Sequence, residues 1–127
     1  YAGLGNLEQS QIVGTKLAKD LVEQATSETG VAAALTWSRA QDAFTFLKDE
    51  RNALQAARNA VAANPHEYAL RKNLVNLLVA QKKFDEAVPL LEWCLKQYPD
   101  NSTLKETLFQ ARSQIQQASF TTETTER

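Results

Sequence analysis

Lys72 and Asn76 stand four residues apart, a spacing that on a helix puts an ammonium and an amide one turn apart on one face. Such a pair offers hydrogen-bond donors to an anionic group but contains no nucleophile. Groups suited to covalent or acid–base chemistry are few. His66 is the only histidine and follows Pro65 in a turn, where it reads as a residue starting a helix. Cys94 is the only cysteine; it falls on an apolar stripe with no histidine near it in sequence and reads as a small core residue. Asp85 and Glu86 lie at a helix start, where carboxylates interact favourably with the helix dipole and require no further role. The Gly-Leu-Gly-Asn run ending at Asn6 is too short for a dinucleotide fingerprint and follows no strand pattern. No stretch has metal-ligand spacing. The chain is therefore expected to have no catalytic residue, no metal and no cofactor.

The elements that must hold Lys72 and Asn76 belong to a chain of 127 residues, the length of one modest domain. Its 14 Lys and Arg against 15 Asp and Glu argue against nucleic acid as the main partner, because phosphate binding shows as a basic excess or stripe. No apolar run approaches the roughly 18 residues of a membrane span, so a soluble chain without membrane insertion is expected. One cysteine excludes an internal disulfide framework. The chain starts at Tyr1 and contains no methionine, as expected of a processed protein or a segment of a longer one. Any targeting region then lies out of view, and the compartment stays open.

Apolar periodicity predicts helices throughout. Residues 1–6 read as a flexible lead-in, followed by a helix over 7–26 with Ile12, Val13, Leu17, Leu21, Val22 and Ala25 three and four apart. Gly14 weakens it by about 1 kcal/mol relative to alanine, and Gly30 reads as its left-handed stop. Further helices are predicted over 31–47, 52–63, 67–81, 85–97 and 103–118. Thr103 and Glu106 have capping-box spacing at the start of the last. Pro89 falls near the start of its helix, where little hydrogen bonding is lost. Residues 120–127 are polar and repetitive and read as a disordered tail. No strand is expected.

Pro65 and Pro99 are 34 residues apart, each closing a predicted helix pair. Twelve residues before each stands an alanine, Ala53 and Ala87; five before stand Ala60 and Cys94, both small. Large apolar Phe44 and Leu78 stand twenty-one before. Small residues at fixed points let helices approach closely, and large ones fill the adjoining gaps. A 34-residue period of this kind is the signature of helix-turn-helix arrays. It resembles the tetratricopeptide repeat. Residues 68–101 match best, with Leu74, Leu78, Phe84-Asp85-Glu86-Ala87 and Pro99; residues 34–67 carry the family's tryptophan as Trp37. This first unit departs at Gln41, where a small residue is usual, and at Glu50, where an aromatic is usual.

The resemblance implies an all-α, right-handed solenoid: a lead-in and flanking helix over 1–30, repeats at 34–67 and 68–101, and a capping helix over 102–119. It also implies a non-enzymatic scaffold that binds a protein or peptide in a concave groove lined by the first helix of each unit. By offset that groove takes Leu35, Ser38, Asp42 and Thr45 from the first unit and Ala69, Lys72, Asn76 and Val79 from the second. The capping helix adds Thr103, Glu106 and Gln110. Family members that clamp a carboxylate use a Lys and an Asn at the spacing of Lys72 and Asn76. Here the next unit offers Thr107 and the opposing charge of Glu106, so the clamp is incomplete, and a solvated helix face is the alternative. Trp93 lies beside the packed stripe, where it either covers a neighbouring loop or the outer surface or stands as an exposed apolar anchor for a partner. Permanent packing within a larger assembly, a homo-oligomer included, or beside a catalytic domain of the same polypeptide is the competing role.

Overall fold

The computed structural model describes the backbone of residues 2–126 and the side-chain surroundings of residues 8–118. Among the described residues every element is a helix: α1 (Ala2–Ser27), α2 (Gly30–Phe46), α3 (Glu50–Ala63), α4 (Tyr68–Ala80), α5 (Phe84–Gln97) and α6 (Ser102–Glu126). The chain divides into two compact units, Tyr1–Leu70 and Arg71–Arg127.

Both ends correct the sequence reading. The expected lead-in is helical from Ala2, because Gly3 and Gly5 fall in the first turns, where few intrahelical bonds depend on them. The expected tail is helical to Glu126, because no proline or glycine follows Pro99 to stop the helix. Side chains of both stretches lie outside the described residues. Gly30 has the left-handed φ of +62 expected of a stop, and α2 begins on it.

The 34-residue period is written into the backbone. Lys48 and Lys82 both take left-handed conformations, φ 59 and 60. Around the first, Asp49 N–H bonds the Phe44 carbonyl at 2.9 Å and Lys48 N–H the Thr45 carbonyl at 3.0 Å. One period later Lys83 N–H bonds Leu78 at 2.8 Å and Lys82 N–H bonds Val79 at 3.0 Å. This pair of crossed bonds is a Schellman stop, which satisfies carbonyls left open at a helix end. A left-handed turn costs an L-residue about 1–2 kcal/mol, and glycine avoids the penalty. Lys82→Gly should therefore raise the unfolding free energy by about 1 kcal/mol in a urea titration. A loss of stability instead would mean that the lysine side chain holds the turn.

Capping side chains begin α3 and α6. Asp49 accepts from Asn52 N–H at 3.1 Å, and Asn101 Oδ1 accepts from Leu104 N–H at 3.0 Å. Asn101 is thus the cap of α6, and Thr103 lies inside the helix instead of heading a capping box. Pro89 is the sixth residue of α5, beyond the first turn, and removes one intrahelical donor; its exposed position leaves the freed carbonyl open to water.

The cores of the two units differ in kind. In the first, α1, α2 and α3 bury Ala18, Ala25, Ala33, Ala40, Ala53 and Ala57, with Leu54 the one large aliphatic fully inside among the described residues. Close helix approach supplies the contacts. Thr36, buried among them, places its hydroxyl 2.6 Å from Glu28 Oε1 and 3.1 Å from the Ala32 carbonyl, tying the turn before α2 to the helix. Gln41 is buried where a small residue is usual, and among the described residues no buried side-chain nitrogen or oxygen lacks a partner. The second unit has a conventional aliphatic core of Leu74, Leu78, Leu91 and Leu104, with Ala87 and Cys94 at the close approaches. Trp37 and Phe44 of the first unit and Phe84 of the second are each half-buried.

Candidate functional site

In the second unit α4 brings Lys72 and Asn76 together as their spacing requires. Lys72 Nζ donates to Asn76 Oδ1 at 3.3 Å, with Lys72 half-buried and Asn76 exposed. The bond engages the amide oxygen, so what the pair turns outward is donors: the remaining ammonium protons and the amide N–H groups. Ala69 is exposed on the same helix and Val79 half-buried.

Trp93 is not the exposed anchor that its place beside the stripe allowed. It is half-buried, and the Arg71 guanidinium lies over its ring, 4.3 Å from the centroid. Arg71 and Trp93 are on α4 and α5, so a cation–π contact closes the side of the helix pair that the tryptophan would have left open. Sequence spacing identified the flank but not the arginine that covers it.

Cys94 is fully buried, as its small-residue position predicts. Burial pushes its thiol up, with Lys72 and Arg71 pulling weakly the other way. A raised thiol binds its proton more tightly folded than unfolded. Its contribution to stability is therefore complete below the ordinary thiol range and is lost as pH rises from there through the raised value of the folded state. A thiol reagent at neutral pH should modify Cys94 only as fast as the protein opens. Rapid labelling of the native protein would show the site to be accessible.

The remaining groove positions lie on other helices. Leu35, Asp42 and Thr45 are exposed on α2 and Ser38 is half-buried; Thr103, Glu106 and Gln110 are exposed on α6. Each set keeps to its own helix.

A face the sequence did not reveal lies in the first unit. Ile12, Val13 and Leu17, expected on the packed stripe of α1, are exposed, and of that stripe Ala25 alone is fully buried, with Ala18 beside it. Val13, Leu17 and Leu21 line one wall of a groove of about 980 Å³; Arg39, Asp42 and Phe46 of α2 line the other. Phe46 is 62 % exposed there. The available signal was quantity, because α1 has more apolar residues than one packing face can cover.

Among the described residues no group of three or more His, Cys, Asp or Glu is placed to hold a metal ion. No helix of the described residues is long and apolar enough to cross a membrane. The family model of the tetratricopeptide repeat matches residues 47–115, from the end of α2 through α3, α4 and α5 into α6. The chain belongs to the tetratricopeptide repeat family. The matched span contains the left-handed Lys48 and Lys82, the Lys72–Asn76 pair and the buried Ala53, Ala87 and Cys94. Tetratricopeptide repeats are non-catalytic scaffolds, and this repeat module is all-α in keeping with that role. No curated protein matches the chain.

Proposed function

We propose that this tetratricopeptide repeat chain is a right-handed solenoid of two repeats, 34–67 and 68–101, capped by α6. It docks a protein or peptide on the first helices of its repeats, and α4 recognises a carboxylate. The observation that carries the reading is the Lys72–Asn76 bond, which turns the outward valences of the pair into donors. A carboxylate meeting them gains charge-assisted hydrogen bonds, each worth about 1.5–3 kcal/mol when shielded from water. Leu35, Ser38, Asp42 and Thr45 on α2, and Gln110 on α6, add side-chain contacts along the bound segment. Glu106 opposes an acidic partner, so binding is micromolar at best and weakens with salt.

The test uses a library of peptides with free C-terminal carboxylates and the same sequences amidated. Lys72→Ala with Asn76→Ala should leave the melting temperature unchanged and weaken binding of the carboxylate form at least about tenfold, a loss of about 1.4 kcal/mol. Equal binding of acid and amide peptides would remove the carboxylate reading.

The α1–α2 groove favours a second reading, permanent packing within a larger assembly. Single exposed apolar residues are ordinary, but a contiguous apolar groove marks a contact surface.

A further inference from the structure

We propose that the segment whose carboxylate α4 binds is extended, and that the apolar side chain of its third-from-last residue enters a cleft of the second unit between α4, α5 and α6. This rests on the carboxylate reading of Lys72 and Asn76 and defines the sequence that precedes the carboxylate.

The cleft has a volume of about 380 Å³. Val79 near the end of α4, Phe84 at the start of α5 and Phe109 on α6 give it apolar walls, and Gln110 and Gln114 of α6 line it beside them. Val79 and Phe84 are half-buried and Phe109 is 72 % exposed, so apolar surface is left for a ligand to cover.

Spacing sets the register. Val79 stands seven residues after Lys72 and three after Asn76, on the same face of α4. The midpoint of the pair, level with Leu74, lies five residues before Val79, roughly 7.5 Å along the axis. An extended chain covers two residues in about 6.6–6.8 Å. With the terminal carboxylate on the pair, the third-from-last residue is therefore level with Val79.

The glutamines favour an extended backbone over a helical one. Gln110 and Gln114 are exposed and one turn apart, roughly 6 Å along α6. Each carboxamide offers both donors and an acceptor. The N–H and C=O groups on one edge of an extended chain recur every second residue, at nearly that interval. A helix has already satisfied its backbone internally and gains nothing from two such amides.

The experiment measures binding of the whole chain to hexapeptide libraries, each randomised at one position, made with a free C-terminal carboxylate and again as amides. Among the acid peptides the third-from-last position should select large apolar residues, with leucine bound at least about tenfold tighter than alanine. Phe109→Ala changes an exposed position, so circular dichroism should show it folded. It should cut that preference at least about threefold and leave the gain of acid over amide unchanged. Gln114→Ala should weaken every bound peptide by a similar factor. Acid peptides that outbind the amides with no preference at this position overturn the proposal and leave the α4 reading standing. Acids and amides bound alike overturn both, because the register is counted from the carboxylate. A preference that Phe109→Ala leaves intact overturns the cleft, and binding that Gln114→Ala does not weaken overturns the extended placement.

Discussion

Replacing Leu78 by alanine should lower the unfolding free energy by about 2–5 kcal/mol, out of a total of about 5–15 for a domain of this size. Leu78 is 0 % exposed and among the largest side chains fully inside. Its carbonyl accepts from Lys83 N–H at 2.8 Å, so the same residue packs the core and closes the turn after α4. Truncation leaves that backbone bond in place and removes the packing, which makes the loss a cavity effect. Urea denaturation should show a lower midpoint with an unchanged slope. A loss below about 0.5 kcal/mol would mean that α4 is not packed where its periodicity places it.

The opposite change should be costly at the small-residue positions. Ala87 is fully buried at the start of α5, one period after Ala53. Ala87→Leu forces three further carbons into a close approach and should destabilise by about 1–3 kcal/mol, through overpacking and not through a void. Ala62→Leu, at an exposed position on α3, is the control and should change stability by less than about 0.5 kcal/mol. If both leucines are tolerated equally, Ala87 is not a point of close helix approach.

These two residues show what was legible in the sequence. Leu78 and Ala87 were identified by a period of 34 and by residue size, because helix packing constrains volume at fixed intervals and volume is visible in residue type. The stops at Lys48 and Lys82 were less legible. A left-handed turn announces itself through glycine, and here lysine takes the strain. The ends were misread from composition, since polar residues without proline or glycine continue a helix as readily as they fray. Trp93 was placed on the correct flank but not under Arg71, because a cation–π contact across two helices depends on rotamers that spacing does not specify. The α1–α2 groove was missed for a related reason: Val13 and Leu17 have helical periodicity, and periodicity marks an apolar face without saying what covers it.

Lys72 and Asn76 are the residues on which the binding account rests, and their response to ligand tests it most directly. Amide and side-chain resonances of the labelled chain should be followed while a carboxylate-ended peptide that binds is titrated in. The account predicts that the largest shifts fall on α4 around Lys72 and Asn76, including the Asn76 side-chain amide, and that they fade as salt is raised. Shifts confined to the flank of Trp93 or to the α1–α2 groove, with Lys72 and Asn76 unmoved, would contradict it.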